Sequence, residues 1–168
     1  MSISMYQVAV PVFLRALTNL HHVLKLGQAH AKERSVEDSV MLHTRLIPDM
    51  LPLVKQVQIA TDMAKNGAAR LAGVDPLKFE DNETSFDELH NRIERAIDYI
   101  KSFKPEQIDG SETRAITLKT RNGEQHFEGD AYLLHFVIPN LFFHCTTAYD
   151  ILRAAGTNIG KTDFIGKA

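Results

Sequence analysis

Between Leu133 and Leu152 the apolar residues do not fall on one stripe. Leu133, Phe136, Val137, Leu141, Phe142, Ile151 and Leu152 cover much of a helical circumference. A helix of this kind must be covered on several sides by other elements, so it predicts a central position in a helical assembly. The pattern runs from about Gly129-Asp130 to about Ala155. Gly156 is the expected stop, and Pro139 is expected to kink the helix.

Three other long helical patterns are available to cover it. From about Ser4 to about Lys32, Met5, Val8, Val12, Ala16, Leu20 and Val23 recur at steps of three and four. Pro11 should bend this helix or end its first turns. A second stripe runs through Met50, Val54, Val57, Ala60, Ala64, Ala68 and Leu71. It begins near Ile47-Pro48-Asp49, or at about Pro52, and stops at Gly73. The third carries Phe86, Leu89, Ile93, Ile97, Ile100 and Phe103. Ser85 and Glu88 are placed as a capping box at its start. A short connecting helix is expected from Ser35 to about His43, and a polar loop from Leu77 to Glu83.

One segment has a different period. Ile116, Leu118 and Thr120 alternate with Thr117, Lys119 and Arg121, and Asn122-Gly123 suits a tight turn. Two short strands are predicted, about Arg114 to Thr120 and Gln125 to Glu128. A lone hairpin is marginal, so it must pack on the helices. The fold class is therefore all-α, a four-helix bundle with a small β-hairpin insert before the last helix. With no repeat, low-complexity run or linker, residues 1–168 form a single domain. Ile159, Phe164 and Ile165 are expected to anchor the tail.

Charge and cysteine content narrow the function classes. Nineteen Lys and Arg against 21 Asp and Glu leave a net charge of −2, which gives no electrostatic case for nucleic acid or an anionic membrane. No run approaches the ~20 apolar residues of a spanning helix. The start, Met1-Ser2-Ile3-Ser4, lacks the basic and apolar regions of a secretory signal, and a cytoplasmic location is expected. The single Cys145 excludes an intrachain disulfide and reads as a small apolar residue.

The informative polar residues lie on apolar helices. Asn140, His144 and Thr147 share a face of the last helix at steps of four and three, and buried polar groups need partners. Gln56 interrupts the interior edge of the second stripe, with Gln58 and Asp62 nearby, and is placed to meet that row. His135 and His144 stand nine residues apart. At ~100° per residue they point to opposite sides, so one should face inward. His21, His22 and His30 read as surface or rim residues. Gly160-Lys161-Thr162 lacks both the preceding glycine and the strand of a phosphate loop.

Several segments carry a family resemblance. The stretch His144-Cys145-Thr146-Thr147-Ala148-Tyr149-Asp150-Ile151-Leu152-Arg153-Ala154-Ala155-Gly156 resembles the last helix of the DinB/YfiT-like superfamily. Val10-Pro11-Val12-Phe13-Leu14, Arg45-Leu46-Ile47-Pro48-Asp49-Met50, Gln56-Val57-Gln58-Ile59-Ala60 and Pro139-Asn140 resemble an uncharacterised bacterial family within it. The resemblance implies a four-helix bundle, often dimeric. It also implies a divalent metal held by three histidines, one from the second helix and two, four residues apart, from the last. Some members are thiol-dependent transferases or isomerases. Here His144 matches one ligand position, Asn140 stands at the second, and Gln56 is nearest the first. Amides are much poorer ligands for nickel or zinc than imidazole.

The expectation is a metal-free pocket without a cofactor, lined by Gln56, Asn140, His144 and Thr147 and taking an unidentified small molecule. His144 would be the catalytic proton acceptor or donor if the chain is an enzyme. One alternative is a non-enzymatic dimeric scaffold in which the polar row fixes helix register. Another is a metal-dependent thiol transferase-like enzyme, with the metal restored through His144, His135 and a further group. A homodimer is expected in each case.

Overall fold

Burial follows the apolar stripes. The computed structural model describes residues 3–120 and 123–166. Helix α1 (Met5–Glu33) opens on a capping box in which Gln7 N–H donates to Ser4 Oγ and Ser4 N–H to Gln7 Oε1. Pro11 does not end it: only the first turns precede the ring, and Ala9, Val10 and Phe13 are buried on either side of it. A short α2 (Asp38–His43) leads to a loop, and α3 (Leu53–Leu71) starts after Pro52. Asp49 therefore lies in the loop rather than in a helical first turn. Helix α4 (Phe86–Lys101) has the Ser85–Glu88 box that the sequence predicts. A single turn, α5 (Pro105–Ile108), follows.

Strands β1 (Ile116–Thr120) and β2 (Gly123–Phe127) pair antiparallel, from Ile116 opposite Phe127 to Thr120 opposite Gly123. Arg121 and Asn122 lie outside the described residues. Ile116 and Leu118 point inward, while Phe127 packs its ring on Tyr132 and Phe136. These contacts give the hairpin the support that two strands alone lack.

The last long helix is built in three parts: α6 (Gly129–Ala131), a π-helical stretch Tyr132–Val137, and α7 (Ile138–Ala154). The π turn ends two residues before Pro139. It widens the turn whose carbonyls the proline ring would crowd and leave without a donor. Helix α7 packs against α1 and α3, and α4 packs against the same two helices from the other side. The four long helices thus form a closed ring around one core. Helix α8 (Lys161–Ile165) lies on α1. Phe164 rests edge-on against Tyr149, whereas Ile165 is exposed and is held by its carbonyl, which accepts from Arg15 and Asn19. No helix among the described residues is long and apolar enough to cross a membrane.

The segment between α3 and α4 is a loop, but not a merely solvated one. Arg92, 1% exposed on α4, donates Nε to Thr61 Oγ1 at 2.8 Å and Nη1 to Glu80 O and Glu83 Oε1 at 3.0 and 2.9 Å. Its Nη2 reaches Asp62 Oδ1 at 3.0 Å and Asp81 Oδ1 at 3.1 Å. Phe79 from the loop lies under the cations of Lys65, Arg92 and Arg95. A buried guanidinium with carboxylates on several sides staples the loop to both helices.

Removing one partner from such a network leaves buried charge uncompensated. Arg92→Leu should lower the unfolding free energy by about 3–5 kcal/mol in urea titration, whereas Asp81→Asn, at an exposed carboxylate, should lower it by about 1 kcal/mol or less. At Gly129 an added Cβ would stand 1.9 Å from the Ser111 carbonyl oxygen. Gly129→Ala should therefore destabilise by roughly 2 kcal/mol, a fall of about 4–8 °C in Tm.

Candidate functional site

Two buried polar side chains, one from each helix, interrupt the packing of α3 on α7. These are Gln56, in the first turn of α3, and His144, near the middle of α7. They meet: His144 Nδ1 lies 2.7 Å from Gln56 Oε1. Gln56 Nε2 donates to Leu51 O at 2.9 Å, in the loop that leads into α3. That bond orients the amide. Its nitrogen is directed at a carbonyl, so its oxygen faces the imidazole and His144 Nδ1 carries the proton. In the neutral ring Nε2 then holds the lone pair. Burial pushes the His144 pKa below its ordinary 6.5, which keeps the ring neutral at pH 7. The Phe143 ring stands edge-on at 5.2 Å.

The other two residues of the expected pocket do not join this pair. Asn140 Nδ2 donates to Phe136 O at 2.7 Å and Thr147 Oγ1 to Phe143 O at 2.8 Å, each one turn back on its own helix. Such back-bonding satisfies a polar side chain without a tertiary partner. Thr147 does line an open groove of about 500 Å³ with Leu46, Met50, Phe142, Phe143 and Asp150. Gln56, Asn140 and His144 are not among its lining residues. His135 is exposed on the π-helical stretch while His144 is buried, so the opposed placement of the two histidines holds.

Comparison with known proteins agrees with this architecture. The family described as Domain of unknown function (DUF1993) matches residues 5–165. The chain belongs to that family. This DUF1993 domain is similar to a DinB family member protein from Shewanella denitrificans, known from a crystal structure. Identity is 35% over 97% of this chain and 92% of that one, with a TM-score of 0.88. A search of curated proteins finds no match.

The DinB-like bundle raises the question of a three-donor metal site; in this DUF1993 domain the corresponding positions hold Gln56, Asn140 and His144, and two of these three are amides, poorer ligands for nickel or zinc than imidazole. The Gln56 oxygen, its best ligand atom, is bonded to the His144 ring, and that bond also occupies His144 Nδ1. Asn140 donates its amide nitrogen to the helix backbone, a bond that does not engage its oxygen, the ligating atom of an amide. Among the described residues no group of three or more His, Cys, Asp or Glu is arranged to hold a metal ion. Cys145, next to His144 in sequence, is buried, and burial pushes its thiol up to about 12. A thiol held protonated in this way is no nucleophile at neutral pH.

The sequence did not reveal the third member of the site, the Leu51 carbonyl. A backbone oxygen in a loop carries no residue-type signal. Gln56→Leu should cost about 1–3 kcal/mol in chemical denaturation, because it strands the His144 N–H and the Leu51 carbonyl in an apolar seam. The double variant Gln56→Leu/His144→Leu should recover part of that loss, since no buried imidazole donor is then left unpaired.

Proposed function

We propose that this DinB-like domain binds a small molecule beside the α3–α7 seam and presents His144 Nε2 to it as a hydrogen-bond or proton acceptor. One observation carries the reading. The Leu51–Gln56–His144 relay holds the imidazole as the Nδ1–H tautomer, and a ring fixed in this way offers one lone pair in one direction. The groove that Phe143 and Thr147 line has apolar walls with a few polar groups, the usual composition of a ligand site; His144 lies outside its lining, so a ligand seated there reaches the imidazole only past Phe143, whose ring stands edge-on to it. The ligand class that suits a neutral imidazole acceptor is a small molecule with an acidic O–H, N–H or S–H. If the bound molecule reacts, His144 takes that proton.

The test is a thermal-shift screen of wild type against a panel of small alcohols, amines, thiols and hydroxy acids, followed by affinity measured from pH 5 to 8. The reading expects at least one compound that raises the Tm and whose affinity grows tenfold per pH unit below the His144 pKa before levelling off. His144→Gln should bind it at least tenfold more weakly. A panel without a hit, or a hit that binds His144→Gln equally well, contradicts the reading.

The competing occupant of the groove is a second copy of the chain. Phe143 is 57% exposed, and Leu46, Ile47 and Leu51 beside the groove are also exposed, an apolar face of the kind that marks interaction surfaces. Under that reading the Gln56–His144 pair only fixes register. A homodimer in sedimentation analysis that Phe143→Ser dissociates, with no ligand effect, favours this second reading over the first.

A further inference from the structure

We propose that His21 and His90 form an acid-sensitive latch between α1 and α4, closed while both imidazoles are neutral and opened when they take up protons. The two rings face each other across the seam, their centroids 4.8 Å apart, and both side chains are largely buried. The tautomer of His90 is fixed. Gln28 Nε2 donates to Asp87 Oδ1 at 2.8 Å, so Gln28 Oε1 is the acceptor facing His90 Nε2 at 3.1 Å, and that nitrogen carries the proton. His90 Nδ1 is left as a bare lone pair. It is buried and has no hydrogen-bond partner, and the same holds for His21 Nε2.

Unpartnered buried polar atoms are uncommon and call for an explanation. Here His90 Nδ1 is a proton acceptor by its fixed tautomer, and the neighbouring His21 ring can also take a proton, in a seam that has room for few charges. The charged groups that face the pair are Lys25 on α1, Asp87 and Glu94 on α4, and Asp38 on α2. Glu94 Oε1, 3.8 Å from His21 Nε2, is placed to receive one imidazolium. A second proton, on His90 Nδ1, would put an N–H without an acceptor beside a like charge, with the Lys25 ammonium nearby. Two charges in the closed seam repel and are poorly solvated, so the seam relieves them by opening to water.

The sign follows from burial, which is the largest effect on both rings and holds their pKa values below the 6.5 of an unfolded histidine. Lys25 lowers them further. The closed seam therefore binds fewer protons than the open one. Its stability is complete above about pH 6.5 and is lost as the pH falls below 6.5 through the folded-state values. His144 carries the same sign but lies between α3 and α7, so its effect is spatially distinct.

Hydrogen exchange of the full chain at pH 7.5 and 5.5, corrected for intrinsic amide rates, tests the latch. In wild type, protection across Phe86–Lys101 should fall on acidification by about tenfold more than in His21→Leu/His90→Leu. Lys25→Met, at an exposed position, keeps the fold and removes the cation that opposes protonation, so its loss at pH 5.5 should be smaller than that of wild type. Equal losses in wild type and in the double variant overturn the proposal. So does a wild-type α4 that keeps its protection at pH 5.5, or a Lys25→Met variant that loses as much as wild type.

Discussion

A helix covered on several sides can carry a polar group inward only if a neighbouring element supplies its partner. This requirement organises the α3–α7 seam. His144 enters it from one side and Gln56 from the other, and the Leu51 carbonyl completes the chain of bonds. The three groups together fix the register of two helices, the entry of the chain into α3 and the orientation of an imidazole. An apolar seam of the same shape would be as compact, but it would tolerate sliding and would present no acceptor. The arrangement at Arg92 obeys the same requirement on the opposite face of α3. There a guanidinium is buried because a loop brings the Asp81 and Glu83 carboxylates and the Glu80 carbonyl to it.

Elements held together by local periodicity were legible in the sequence. The Phe86 to Phe103 stripe and the Ser85–Glu88 box place α4 within a residue or two of its ends, because capping and amphipathicity are properties of adjacent residues. The hairpin was legible for the same reason, although its strands are Ile116–Thr120 and Gly123–Phe127 rather than the spans expected. The meeting of Gln56 and His144 was legible because each breaks an otherwise apolar stripe, and two such breaks inside one bundle seek each other. Asn140 and Thr147 share the face of His144, but a shared face does not say whether a side chain reaches across or turns back to its own backbone. Both turn back.

What was not legible depends on partners distant in sequence. A charged residue on an amphipathic helix reads as solvent-facing, so nothing in the pattern around Arg92 marks it as buried; the loop from residue 72 to 84 decides that. His21 reads as a rim residue until α4 brings His90 against it. The π-helical stretch is likewise invisible to periodicity, although Pro139 marks where the strain falls. Family membership supplies the bundle and no more. A shared fold leaves the chemistry to the side chains at the site, and here an amide bonded to an imidazole stands where the superfamily resemblance implies a set of metal ligands.

The central claim is that the Gln56 amide holds His144 as a single neutral tautomer with its lone pair on Nε2. Long-range proton–nitrogen NMR of the histidine side chains in the intact protein at pH 7.5 measures this directly. The account predicts a protonated, pyrrole-type Nδ1 and an unprotonated, pyridine-type Nε2 for His144, and averaging of the two nitrogens in Gln56→Leu. A proton on Nε2 in wild type, or averaging already present there, would contradict it.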